Sequence, residues 1–150
     1  MSISIALIPA ALLLKVILFD RDYCQLQEID KKAVKDVKLP TNYNDKELLI
    51  KTLYDFNAHG IIVKKDDIVC DIGEHKLKFV KENESYMVSL STVKNAEQLL
   101  KELRCLDGLY KANLQEQVYK GTKEKLKQKG MMIESEEILE DNSIVLTVLV

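Results

Sequence analysis

Glycine, cysteine and histidine are scarce in this sequence, with five, three and two copies in 150 residues. Few glycines leave little backbone free to wrap a phosphate, and neither a P-loop nor a G-x-G-x-x-G fingerprint is present. Also missing are the G-x-S-x-G nucleophile elbow, the H-E-x-x-H zinc helix and the EF-hand loop. Cys24, Cys70 and Cys105 are odd in number and far apart, with no C-x-x-C pair. That excludes a zinc ribbon and a thioredoxin-type site. It also makes a poor disulfide framework, which points to a reducing, cytoplasmic setting. Any nucleophile would have to use His59 or His75 as its base. His59 stands beside Gly60 at a helix end, where its charged form complements the helix dipole. Cys70 and His75 can be drawn as a mixed metal pair, but they read more simply as a buried strand thiol and a histidine near a turn. Glu134 and Glu136 share one face of a strand and read as solvated carboxylates. Neither a cofactor, a metal nor a catalytic constellation is expected.

A one-signed charge is missing too. Lysine and arginine number 22 against 24 acidic residues, a net charge of −2, so nothing draws the whole chain toward nucleic acid. What is present, 47% hydrophobic and 31% charged residues, is the composition of an ordinary folded domain. One domain over residues 1–150 is expected, with residues 1–19 as an apolar leading segment.

That segment, Ile3 to Phe19, is broken only by Ser4, Pro9 and Lys15. A signal peptide needs a basic n-region, and none precedes Pro9. A membrane-spanning helix needs about 20 apolar residues, and Lys15 would sit inside the bilayer. The preferred reading is a strand over residues 2–7, where Ser2, Ser4 and Ala6 alternate with Ile3, Ile5 and Leu7, then a helix from about Ala10 with Pro9 in its first turn. A helix apolar nearly all round needs a cover, which can be the domain's own sheet, a partner subunit or lipid. Leu7, Leu12, Leu13, Val16 and Ile17 are therefore the candidate interface. Residues 20–40 show no clean period, and Leu39-Pro40-Thr41-Asn42 reads as a loop.

Tyr43 to Leu48 is a dense helix start: Asn44 as N-cap, Glu47 three residues on, and Tyr43 with Leu48 as a hydrophobic staple. The spacing of Leu49, Leu53 and Phe56 predicts a helix over 45–58, stopped at Gly60. Ile50 and Tyr54 widen its apolar stripe and are a second interface candidate. Four short β-rich runs follow, from Gly60 to Leu90, separated by turns at Lys65-Asp66-Asp67, Gly73-Glu74 and Glu82 to Ser85. Strands this closely spaced predict an antiparallel meander. Lys76, Lys78 and Lys81 give one wet face, which lacks the exposed aromatics of an RNA-binding sheet.

Asn95 caps a second helical pattern. Ala96, Leu99, Leu100, Leu103, Leu106, Tyr110, Leu114 and Val118 form one stripe that crosses Gly108. Unbroken to Lys129 it would be about 50 Å long, so a break or kink at Gly108 is expected. Its end is basic, with Lys120, Lys123, Lys125, Lys127 and Lys129, which reads as a solvated face or, alternatively, as an anion or nucleic-acid patch. After Gly130 come a strand with an acidic interior, Met131 to Leu139, a turn at Asp141-Asn142-Ser143, and an apolar strand from Ile144 that reads as central and covered on both faces.

The order from Val118 to Val148 is a lysine-rich helix end, Lys129-Gly130, Ile133 through Glu136-Glu137, then Glu140-Asp141-Asn142-Ser143-Ile144-Val145-Leu146. It resembles the C-terminal part of a small family of plastid and cyanobacterial open-reading-frame proteins with bacterial relatives. The resemblance covers about a fifth of the chain and implies no activity and no functional residue. The sequence thus predicts an α+β fold, an antiparallel sheet of five to seven strands (meander plus C-terminal hairpin) with its helices mainly on one face. It further predicts a non-catalytic interaction subunit with a protein partner or further copies of itself. A membrane accessory protein held by residues 3–19 is one alternative, and a nucleic-acid or anion-binding module using the Lys120–Lys129 face is the other.

Overall fold

A computed structural model of the chain describes residues 1–8, 37–91 and 93–149. The fold is α+β, with two helices and eight strands among the described residues. In chain order these are β1 (Ser2–Ile8), β2 (Val37–Pro40), α1 (Lys46–Asp55), β3 (His59–Lys64), β4 (Asp67–Ile72), β5 (His75–Glu82), β6 (Ser85–Leu90), α2 (Ala96–Gln128), β7 (Met132–Ile138) and β8 (Ile144–Leu149). The strands form two antiparallel sheets, one ordered β2-β6-β5-β4-β3 and one ordered β1-β8-β7. The meander and the C-terminal hairpin therefore both form, each in its own sheet. By internal contacts the chain divides into two compact units, Lys15–Tyr110 and Met1–Leu14 with Lys111–Val150.

The larger unit is built on the five-stranded sheet. β3 to β6 are joined by two-residue turns whose first residues, Lys65, Gly73 and Asn83, take positive φ. That is the backbone such hairpins need to match strand twist. Side chains alternate: Ile68, Cys70, Ile72, His75, Leu77, Phe79, Tyr86, Val88 and Leu90 face inward and are buried. Leu48, Leu49 and Leu53 of α1 and Leu99, Leu103, Leu106 and Tyr110 of α2 complete this core. Tyr43 enters it just before α1, its ring centroid 4.3 Å from that of Tyr110 and 6.4 Å from that of Phe79.

Four expectations are corrected here. Asp45, not Asn44, caps α1, its carboxylate accepting from the Leu48 N–H at 3.1 Å; both residue types cap well, so sequence alone left a one-residue ambiguity. The helix stops at Asn57 rather than Gly60, because Asn57 takes φ 59° and the Ala58 N–H donates to the Leu53 carbonyl. His59 consequently lies in β3, opposite Asp71, and caps nothing. The stretch read as a loop at Leu39-Pro40 is the end of β2, the outermost strand of its sheet among the described residues, a position where proline is tolerated.

α2 begins as expected, with the Asn95 side chain accepting from the Gln98 N–H at 3.1 Å. It does not break at Gly108 but runs 33 residues. A glycine in a helix costs only about 1 kcal/mol relative to alanine, less than the burial of Leu106 and Tyr110 on either side of it contributes. The helix ends where Gly130 takes φ 71° and the Met131 N–H donates to the Leu126 carbonyl.

The smaller unit is the three-stranded sheet with the second half of α2. β8 is central, as expected, paired to β1 on one side and β7 on the other. Its two faces are covered unequally: Leu146 and Val148 are buried against Leu126, with Tyr119, Met131, Ile133 and Ile144 around them, while on the opposite face Val145 and Thr147 are half-buried and Leu149 is 39% exposed.

Candidate functional site

The residues singled out in sequence fall into three groups. Leu12, Leu13, Val16 and Ile17 lie outside the described residues, and Leu7 is placed by its backbone alone, opposite Val145 in the β1–β8 pairing. Ile50 is half-buried on α1 and Tyr54, one turn later, is 62% exposed. The lysines of α2 separate by partner. Lys120 pairs with Glu116 at 2.8 Å and Lys123 with Glu136 at 3.1 Å, whereas Lys125, Lys127 and Lys129 are exposed near the helix end. No helix among the described residues is long and apolar enough to cross a membrane, and residues 3–8 belong to strand β1.

No group of three or more histidine, cysteine, aspartate or glutamate side chains among the described residues is placed to hold a metal ion. Cys70 is buried, and burial with the Asp71 charge beside it pushes its thiol up to about 12, so it is inert at neutral pH. His75 is buried at the start of β5, its Nδ1 3.5 Å from Oε2 of Glu102 on α2. That separation exceeds a good hydrogen bond. The turn before it fits closely, since a Cβ on Gly73 would stand 2.5 Å from Glu102 Oε1.

Among the described residues a polar cluster joined to a groove lies in the smaller unit. The tight return at Gly130 lays β7 back along the last turns of α2. Eleven helical residues before Gly130 and six extended residues after it both cover roughly 15–20 Å, so Tyr119 meets Glu136. The Tyr119 hydroxyl donates to Glu136 Oε2, and Lys123 donates to the Tyr119 oxygen at 3.2 Å while pairing with Glu136 Oε1. Its ammonium also stands 4.9 Å from the Tyr119 ring centroid. The Tyr119 hydrogen bond, and after it Lys123, hold the Glu136 carboxyl below its usual range; Tyr119, and after it Glu136, in turn raise Lys123. Sequence reading treated the lysines and the glutamates as separate solvated faces and missed this bridge. The signal for it was the glycine stop with short arms on both sides.

Beyond the bridge an open groove of about 770 Å³ runs between helix and strand. Lys123, Glu124 and Lys127 line it from α2, and Ile133, Glu134, Ser135 and Glu136 from β7, with Met131 between them. Its volume is in the range of ligand sites, and its lining is ionic and aliphatic with Ser135 as its one hydroxyl among the described residues. No protein-family model, curated protein or solved structure matches the chain.

Proposed function

We propose that this protein is a non-catalytic interaction subunit whose smaller unit is completed by another protein chain. The supporting observation is an imbalance in burial. Among the described residues the larger unit buries twenty-one apolar side chains and the smaller only Leu126, Leu146 and Val148. The smaller unit meanwhile exposes Ile3, Val118, Met132, Ile138, Leu139 and Leu149. Scattered surface apolar residues are normal, but a concentration of them on a thin sheet is characteristic of an interaction surface. Met132 and Leu149 are also direct cross-strand neighbours on the less covered face, 68% and 39% exposed. The other paired positions of that face on β7 and β8 are Ser135 with Thr147 and Glu137 with Val145, so Glu137 is the one charge among them, and depletion of charge marks the core of an interface.

The test is the absolute mass of the untagged, full-length chain by light scattering without detergent, for the native sequence and for Met132→Glu with Leu149→Glu. A discrete multiple of 17.2 kDa that falls to the single-chain mass in the double variant is the expected result. A single chain at all concentrations, with amides of β7 and β8 exchanging as slowly as those of β5, would mean that the smaller unit needs no cover and would overturn the reading.

A further inference from the structure

Resting on that reading, we infer that the edge of β7, outermost among the described strands of its sheet, is a docking strand for an extended peptide in which basic and apolar residues alternate. The peptide would lie between β7 and the end of α2.

A sheet edge presents unpaired N–H and C=O groups, and proteins usually blunt it with short strands, proline, bulges or charged side chains, lysine above all. β2 is four residues long and ends in Pro40. β3 is shifted in register between His59 and Ile62 and finishes in Lys64-Lys65. β1 is interrupted between Ser4 and Ala6. β7 also carries a bulge, between Ile133 and Ser135, but Ser135 to Ile138 then continues in regular register with no proline and no lysine. Among the described residues it is the outermost strand on its side of the sheet.

The strand's two faces specify the occupant. Ile133, Glu136 and Ile138 stand opposite Val148, Leu146 and Ile144, on the face toward α2. Glu136 is paired there with Lys123 and accepts from the Tyr119 hydroxyl, which leaves an apolar track of Ile133 and Ile138, the latter 72% exposed. Ser135 and Glu137 stand opposite Thr147 and Val145 on the other face. Glu134, at the bulge, and Glu137 have no cationic partner among the described residues. A strand added here would place every second side chain over Ile133 and Ile138, beside the aliphatic stems of Lys123 and Lys127. Its intervening side chains would stand across from Glu137, where opposite charges directly facing are favoured and like charges penalised. Main-chain pairing would supply affinity and this alternation the selectivity, the usual division in strand addition.

The test uses a fluorescein-labelled hexapeptide alternating lysine and valine, read by anisotropy against the full-length chain. Controls are the glutamate–valine analogue and a block peptide with three lysines followed by three valines. Preference of at least tenfold for the lysine–valine peptide over both controls is expected. Ile138→Glu should lower its affinity at least tenfold, and Glu137→Lys should shift preference toward the glutamate–valine peptide. Both residues are exposed, and circular dichroism checks that the fold is kept. N-methylation of alternate peptide nitrogens should abolish binding in one phase and spare it in the other. Equal binding of the alternating and block peptides would reduce the effect to charge attraction and overturn the inference. So would indifference to both substitutions or to both N-methyl phases. Absence of peptide binding in a chain whose mass still falls on Met132→Glu with Leu149→Glu would remove this inference and leave the interaction reading standing.

Discussion

Phe79 and Leu126 occupy comparable places, each in the buried layer between a helix and an antiparallel sheet, yet the layers differ in depth. Around Phe79 a five-stranded sheet, both helices and the Tyr43–Tyr110 ring pair close every direction. Around Leu126 there are, among the described residues, two fully buried neighbours, and Tyr119, Met131, Ile133 and Ile144 reach only part way in. The difference shows what three strands and half a helix can do. A small layer of this kind exposes most of its own apolar surface, and such elements rarely supply enough core to stand alone. The larger unit has the core of a conventional domain, while the smaller has its frame and little of the filling.

Truncation tests that comparison most directly. Phe79→Ala should cost about 4 kcal/mol in urea unfolding, in the range for a fully enclosed aromatic. Leu126→Ala should cost about 2 kcal/mol, at the low end for leucine, because its shallow surroundings can relax into the space. Equal losses would contradict the assignment of the fold's stability to the larger unit.

A second substitution asks how tightly the larger unit is fitted at its margin. Gly73 has φ 58° in the β4–β5 turn, and an added Cβ would press on the Glu102 carboxylate. The carboxylate is the end of a flexible side chain and can move, so the lasting penalty is the left-handed backbone, about 1–2 kcal/mol for a residue with a Cβ. Gly73→Ala should therefore lower stability by about 1–2 kcal/mol, and Glu102→Ala in the same chain should recover little of it. Full recovery would show that the contact with α2, not the backbone, sets the cost.

The two units were also unequally legible in sequence. The meander was readable because its signals are local: period-two alternation from Ile68 to Leu90, interrupted by residues suited to positive φ. The cap at Asn95 was readable for the same reason. Sheet order was not, because nothing local to Ile62 and Val63 says that β3 is an edge, where they are 53% and 41% exposed. Gly108 misled because a helix breaker was weighed without the burial on either side of it. Asn44 and Asp45 are equally good caps, and only the chain's entry through Tyr43 into the core chooses between them. The groove beside β7 was the least visible, since it depends on how far a helix and a strand each travel from Gly130. Composition assigned Lys123 to one solvated face and Glu136 to another, and only three-dimensional return brings them within 3.1 Å.

That bridge gives the smallest expected effect and the one most specific to the smaller unit. Tyr119 and Lys123 hold the Glu136 carboxyl below its unfolded range, and a group with a depressed folded pKa binds its proton more readily when unfolded. Its contribution is therefore fully present above the unfolded glutamate value of about 4.3 and is lost as pH falls through the lower folded value. Glu136 is exposed, so solvent and salt keep the contribution small. Urea unfolding at pH 7 should find Glu136→Gln slightly less stable than the native chain. Below the folded pKa of Glu136 the two should coincide, since protonation then does to the native chain what the substitution does at every pH. Raising ionic strength at pH 7 should narrow the gap as the Lys123 attraction is screened. A gap that persists unchanged in strong acid would mean that the Tyr119 hydroxyl, not the charge on Glu136, holds the end of α2 against β7. The groove would then owe its shape to a neutral hydrogen bond rather than to an ion pair.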